Sequence, residues 1–415
     1  MPWSTRTTGA VGPALSLSTR ETARVLAAAF LAGEWERDAM AERALVALGK
    51  RVWLYRVAGE VLEAYHRPPR DRPRELAAFV ATLLDGVRRP PRVLREPIFH
   101  TEMAPSRWPV PRIDTVGDLA ERLELDPGQL AWLADVKGLE RRATGKLRNY
   151  TYLRIPRKHG PPRVLERPKL RLKEIQRWIL RELLVWIPPH DAAHGFVKGR
   201  SARTHAGLHT GRRVVLALDL EDFFASVTAA RVYGIFRTAG YPEAVAHTLT
   251  GLCTNVVPVE ESVPGEFRLS RRLATPHLPQ GASTSPALAN LVAFHLDARL
   301  TGLAAAIGAR YSRYADDLTF SADHYLRPPH DAIAEITREE GFRVNAAKTR
   351  LMARGSRQRV TGIVVNAHPN IPRAEYDRLK AILHRGDYDR AEILGRIAWV
   401  EHLNPARGAK LRSRL

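Results

Sequence analysis

An unbroken apolar run, Val214-Val215-Leu216-Ala217-Leu218, ends on a carboxylate, Asp219, and continues as Leu220-Glu221-Asp222-Phe223-Phe224. Such a run reads as a buried central strand, because a half-exposed strand would alternate apolar and polar residues. An unpartnered carboxylate there costs several kcal/mol, on the order of any desolvated ion. Asp219 is therefore expected at the strand end, facing a cation. A second acidic site stands in Arg310-Tyr311-Ser312-Arg313-Tyr314-Ala315-Asp316-Asp317-Leu318-Thr319-Phe320-Ser321. Its strand-favouring residues predict a hairpin that presents Asp316 and Asp317 at the tip. Two adjacent anions are costly unless a cation sits with them, and carboxylates are the natural protein ligands of Mg²⁺. Between the acidic sites, Leu278-Pro279-Gln280-Gly281-Ala282-Ser283-Thr284-Ser285-Pro286 is a loop of small residues leading into a helix near Pro286. Such residues let a flat ligand approach the backbone closely.

Lys and Arg number 65 against 44 Asp and Glu, a net charge of +21 over 415 residues. The excess is spread along the chain, which suits a long polyanion, nucleic acid first, better than a small acidic substrate. The length implies two or three domains. A single cysteine, Cys253, excludes an intrachain disulfide and any cysteine-built zinc site in a monomer. No run of about 18 apolar residues and no charged-then-apolar leader occurs, so no membrane partner and a cytoplasmic location are expected.

Residues 1–17 are rich in Gly, Ser, Thr and Pro and are expected to fray. Ser18-Thr19-Arg20-Glu21 has capping-box spacing and starts a helix, with further helical patterns at 37–65 and 73–87. From Arg88 to Arg112 repeated prolines fix an extended connector and a domain boundary. Residues 115–133 predict two short helices joined by a turn, which resembles a helix-turn-helix. Few of their side chains are able to read bases, which favours packing. Tyr150 to Gln176 opens with a hairpin whose turn concentrates cations, and Arg157, Lys158 and Arg163 are the candidate triphosphate ligands. A basic amphipathic helix follows over 169–181, suited to a phosphate backbone. His205 and His209, four apart, lack a third ligand for zinc. Gln358-Arg359-Val360-Thr361-Gly362-Ile363-Val364-Val365 reads as a strand, and residues 371–415 as basic helices.

Strand-Asp219, the Pro279-Gln280-Gly281 loop and Tyr314-Ala315-Asp316-Asp317, in that order, resemble the palm of a reverse transcriptase. Finer features resemble the bacterial retron branch: Leu218 to Phe224, Val360-Thr361-Gly362, and Arg163 to Pro168 followed by Leu172 to Arg177. Where that branch usually has Asn-Ala-x-x-His, this chain has His205-Ala206-Gly207-Leu208-His209. The resemblance covers about residues 130–415. It implies an α+β right-hand polymerase with fingers, a palm with an antiparallel sheet and a helical thumb, preceded by an α-helical N-terminal region. The expected divisions are 1–110 (helical extension and Pro-rich linker), 111–213 (pre-finger helices and fingers), 214–355 (palm) and 356–415 (thumb).

In that resemblance Asp219 and Asp316, with the Leu220 carbonyl, hold two Mg²⁺ roughly 4 Å apart, Asp317 helps position them, and Mn²⁺ is a possible substitute. Phe224 lies beneath the nucleotide sugar and rejects a 2′-hydroxyl, so the product is DNA. Gln280 and Gly281 touch the templating pair, Asp222 bonds the nucleotide backbone or sugar, and Lys348 serves as general acid for pyrophosphate. His205 and His209 form an RNA-contacting or structural motif, and Val360, Thr361 and Gly362 mark the retron branch as RNA-binding. The implied partners are a structured non-coding RNA serving as template and primer, its DNA product, dNTPs and an effector protein. The implied product is a branched RNA–DNA (msDNA), made in anti-phage defence. Alternatives are another bacterial reverse transcriptase, group II intron-like or abortive-infection type, or a non-catalytic nucleic-acid-binding regulator using 115–133.

Overall fold

The computed structural model describes residues 18–85, 91, 93–156, 162–261, 263, 265–324, 329–386 and 389–415. The expected frayed start and the candidate ligands Arg157 and Lys158 lie outside them. The chain divides into two compact units, Met1–Ala131 with Phe236–Leu249, and Trp132–Ile235 with Thr250–Leu415.

The first unit is helical. Helix α1 (Thr19–Leu31) begins at the expected capping box, in which Ser18 and Glu21 satisfy each other's backbone N–H groups. The pattern read over 37–65 is two helices, α2 (Arg37–Leu48) and α3 (Trp53–Ala64), because Gly49 ends α2 at φ 75°, a left-handed conformation. Helix α4 (Pro73–Leu83) completes a bundle around Leu26, Phe30, Met40, Leu54, Val57 and Leu76, all without solvent exposure. Helices α5 (Val116–Arg122) and α6 (Pro127–Leu133) follow, with Leu130 buried. Glu243 explains why a distant segment joins this unit. Its carboxylate accepts the backbone N–H groups of Arg74 and Glu75 at 2.8 and 3.1 Å, capping the first turn of α4, where the macrodipole favours an anion. Arg237 adds an ion pair to Asp71 at 2.7 Å.

The second unit is mixed α and β. An antiparallel hairpin, β1 (Tyr150–Ile155) with β2 (Arg163–Pro168), leads into α7 (Leu170–Trp178). After α8 (Ala202–Leu208) come the central strand β3 (Val214–Asp219) and α9 (Ala229–Thr238), whose end enters the 236–249 stretch of the first unit with most of α10 (Glu243–Cys253); then α11 (Phe267–Leu273), α12 (Ser285–Val292) and α13 (Phe294–Ala306) follow. Strands β4 (Arg310–Tyr314) and β5 (Asp317–Ala322), α14 (His330–Glu339) and β6 (Arg350–Ala353) follow. The sheet order is β4-β5-β3-β6, antiparallel throughout, so β3 is interior as its apolar run predicts.

The stretch 358–365 is not one strand. It is a tight hairpin, β7 (Arg359–Val360) and β8 (Ile363–Val364), turned by Thr361 at φ 48° and Gly362 at φ 83°. Two successive positive φ values make the turn whose twist suits a two-residue hairpin. Helices α15 (Arg373–Arg385), α16 (Arg390–Leu403) and α17 (Pro405–Arg412) then pack Leu379, Ile393, Ile397, Val400 and Leu411 with Val360 and Ile363 in one core.

Beneath the β4–β5 turn lies a buried ion pair. The Arg313 guanidinium, without solvent exposure, donates to both carboxylate oxygens of Asp297 on α13, at 2.8 and 2.6 Å. Removing one partner of such a pair strands a buried charge. Arg313→Ala is therefore expected to cost about 3–5 kcal/mol of stability in urea unfolding. The double replacement Arg313→Met, Asp297→Leu is expected to regain most of that loss.

Candidate active site

Register brings the predicted carboxylates together. Asp219, the last residue of β3, stands opposite Asp317, the first of β5, and the Leu220 N–H donates to the Asp316 carbonyl at 2.9 Å. That bond makes 219/317 a non-hydrogen-bonded pair, the kind whose side chains approach most closely. Asp316 sits in the two-residue turn, after Ala315 at φ 56°. Burial and the neighbouring charge of Asp219 raise the Asp316 carboxyl, which Lys348 and Arg163 partly offset. Burial, then Asp316 and Asp219, push the Asp317 carboxyl up to about 7.

The turn is gripped from two sides. The remaining donors of Arg313 reach the Asn290 side-chain oxygen and the Ala315 carbonyl, each at 3.0 Å. On the other side the segment Ala192–Phe196 runs beside β4, exchanging backbone bonds with Arg313, and Asn290 holds the Gly195 carbonyl at 2.8 Å. A Cβ at Gly195 would lie 2.5 Å from the Ala315 nitrogen, so only glycine fits there.

Lys348 donates to both oxygens of Asp219, at 2.9 and 2.8 Å. Among the described residues, no three His, Cys, Asp or Glu side chains are already gathered as an ion cage. Donor type and charge nevertheless fit a hard divalent cation. Three carboxylates converge, burial and then their mutual repulsion raise the Asp316 and Asp317 pKa values, and an ammonium already bridges the oxygens of Asp219. Asp219, Asp316 and Asp317 are the residues that could hold it.

The other expected residues fall into distinct places. Arg163 is exposed at the start of β2, and its charge is felt at Asp316. Phe223 is buried against Phe342, while Phe224 is half-buried with its ring 6.2 Å from that of Phe196. Asp222, at φ 48°, has its carboxylate engaged by Arg272 at 3.0 Å. The Gln280 carbonyl accepts the Glu166 N–H at 2.9 Å, and a Cβ on Gly281 would lie 2.8 Å from the Glu166 carbonyl oxygen.

Of the two expected roles for His205 and His209, contact with RNA or structure, their surroundings fit the structural one. Neither has any solvent exposure. His209 bonds Ser321 and Ser312 at 2.7 and 2.9 Å, and His205 bonds Ser312 and Thr319 at 2.8 and 3.2 Å. Thr319 and Ser321 share the β5 face that carries Asp317. The two imidazoles therefore brace that face from α8 and its C-cap and offer no surface to RNA. Val360 is likewise a core residue, 1% exposed, and of the trio only Gly362 is exposed.

Sequence reading missed the roles of Arg313, Asp297, Glu166 and His277. Glu166, 1% exposed, accepts from His277 at 3.0 Å and Asn255 at 2.8 Å, so a buried hydrogen-bonded cluster roots the loop carrying Gln280 in β2. Burial alone would lower His277, but Glu166 and the Thr275 carbonyl hold it above its usual value.

A family described as "Reverse transcriptase (RNA-dependent DNA polymerase)" matches residues 155–390, more than half of the chain and the stretch that carries this site. The chain belongs to the reverse transcriptases, in their retron branch. It is 42% identical over 320 residues to the retron Mx65 reverse transcriptase of Myxococcus xanthus, covering 74% of this chain and 73% of that one. The retron Mx162 reverse transcriptase of the same organism is 38% identical, over 71% of this chain and 65% of its own. The retron Ec86 reverse transcriptase of Escherichia coli is 35% identical, over 55% and 67%. This retron enzyme is accordingly an RNA-directed DNA polymerase with an RNA template and a DNA product, in a family that works with divalent metal ions. The regulator and the intron-like readings give way to it. No helix among the described residues is long and apolar enough to cross a membrane.

The buried histidines set a pH dependence. Burial depresses His205 to about 2 and His209 to about 3, so the fold keeps both neutral where an unfolded chain would protonate them. Stability is therefore lost as pH falls from about 6.5 towards 4. His209→Gln is expected to flatten that slope by up to about 1.4 kcal/mol per pH unit, read as the difference from the parent protein in urea unfolding at pH 7.5 to 4.

Proposed function

We propose that this reverse transcriptase copies a structured non-coding RNA into DNA by two-metal nucleotidyl transfer. The observation that carries this reading is the convergence of Asp219, Asp316 and Asp317 at one end of the sheet. Asp219 and Asp316, with the Leu220 carbonyl, would hold two Mg²⁺, or Mn²⁺ in their place. When bound, such ions lower the pKa of a primer hydroxyl and neutralise charge on departing pyrophosphate.

The chain's own residues bind and orient. The β1–β2 hairpin serves as fingers, where Arg163, with Arg157 and Lys158, grips the triphosphate of the incoming dNTP. Gln280 and Gly281 line the templating pair, and Asp222 orients the nucleotide. Phe224 lies beneath the sugar, a role its half-buried ring beside Phe223 and Phe196 supports. Lys348 first neutralises Asp219 and, released from it, protonates the pyrophosphate. The sheet acts as palm and the helices after 371 as a basic thumb on the duplex, recognised through shape and phosphates. Residues 1–110 form an extension, 111–213 the pre-finger helices and fingers, 214–355 the palm and 356–415 the thumb. Thr361 and Gly362 are the exposed or half-exposed part of the retron trio left to meet RNA.

As the retron resemblance implies, priming comes from an internal guanosine 2′-hydroxyl. On the same reading the branched RNA–DNA stays bound, acting in the cytoplasm in anti-phage defence with an effector protein.

Homopolymer-templated, oligonucleotide-primed dNTP incorporation with Mg²⁺ tests the enzyme. Asp316→Asn is expected to reduce incorporation at least a thousandfold while RNA binding persists, and loss of both would remove the assignment. Phe224→Ala is expected to raise ribonucleotide use relative to dNTP by about ten- to a hundredfold. An unchanged preference would remove the sugar-gate role.

A further inference from the structure

An arginine-lined groove has none of Asp219, Asp316 and Asp317 in its lining. It encloses about 510 Å³ and is lined by Phe267, Arg268, Arg271 and Arg272 of α11 together with Arg343 and the 225–228 turn. None of Asp219, Asp316, Asp317, Phe224 or Gln280 lines it, and no carboxylate does. Two of its arginines are already engaged, Arg272 by Asp222 at 3.0 Å and Arg343 by Glu221 at 3.3 Å. Arg268 and Arg271 are exposed and have no carboxylate partner among the described residues. Under the Gly341 wall, Arg231 has one guanidinium nitrogen buried without a hydrogen-bond partner, while its other terminal nitrogen donates to the Val292 carbonyl at 3.2 Å.

Phe267 decides what kind of anion suits this groove. It is 79% exposed at the start of α11, which leaves its ring face open beside the arginines. Phe267 and Arg271 are four apart and share one helix face, with Arg268 beside them. A guanidinium pair next to an unoccupied aromatic face is the chemistry that takes phosphate on one side and a base on the other. The volume lies in the range of sites that hold ligands of nucleotide size. A free polyphosphate would use the arginines and leave Phe267 without purpose.

We infer that this groove is an auxiliary site for single-stranded RNA, outside the catalytic centre, in which Arg268 and Arg271 take backbone phosphates and Phe267 stacks one base. It goes beyond the proposed function and shares with it only the presence of RNA.

The test uses the full-length protein preloaded with a blunt RNA–DNA duplex to fill the cleft, titrated with a labelled unstructured RNA 12-mer between 50 and 200 mM salt. The double variant R268A/R271A is expected to bind the 12-mer at least about tenfold more weakly, with its salt slope reduced by about 1.4, two phosphates' worth. F267A is expected to weaken binding roughly five- to a hundredfold with the slope unchanged. Homopolymer-primed incorporation is expected to stay within about twofold in both variants. Unaltered 12-mer binding in both overturns the inference, and so does a loss confined to the arginine variant, which marks a general cationic surface. Weakened competition by inorganic pyrophosphate with intact 12-mer binding makes this a free-anion site and overturns it too. A collapse of incorporation alongside binding would assign the groove to the catalytic path instead. Absence of incorporation by the parent protein would sink the polymerase reading and leave the binding comparison intact.

Discussion

A guanidinium with no access to water fixes the geometry on which the acidic centre depends. Burying Arg313 is tolerable only because Asp297 meets it with both oxygens and Asn290 takes another donor. The donor left over goes to the carbonyl of Ala315, the residue whose left-handed backbone reverses the chain and aims Asp316. A well-packed apolar pair would serve stability as well or better. What such a pair could not supply is that last bond, so the interaction is best understood as a constraint on the turn. Asn290 extends the constraint to the Gly195 carbonyl, and Gly195 closes on the turn from the opposite side.

Above this scaffold the charges are arranged against their own preference. Backbone register, not attraction, places Asp219 opposite Asp317, and burial of Asp219 with partial burial of Asp317 limits the water that would screen them. The raised pKa values of Asp316 and Asp317 reflect that burial and repulsion, and the Lys348 ammonium on Asp219 relieves part of it. A site so built has a standing affinity for positive charge.

The carboxylates were legible in the sequence because each violates its surroundings: Asp219 ends an apolar strand, and Asp316-Asp317 interrupts a hairpin. The hairpin, the small-residue loop and the helix from Ser285 followed from turn chemistry and period. Arg313 was less legible, although it shares the inward face of β4 with Tyr311 and so needed a partner. That partner lies on α13, and nothing local to Asp297 marks it as inward-facing. The histidines show the opposite failure. Their spacing correctly puts them on one side of α8 and its C-cap, but spacing cannot say whether that side meets RNA or Ser312, Thr319 and Ser321. At 358–365 apolar content outweighed Thr361-Gly362, whose paired positive φ values split the strand.

Glu166 carries a mechanical implication. Its side chain is locked to His277 and Asn255, and its backbone to Gln280, so the inner end of β2 and the Gln280 loop move as one piece. Val164 is packed with Val257, Val263 and Leu273 and extends the anchored part, so any bending of the β1–β2 hairpin pivots outboard of Val164. Arg163 sits on the swinging side of such a pivot, which lets its guanidinium travel while the loop beneath stays still.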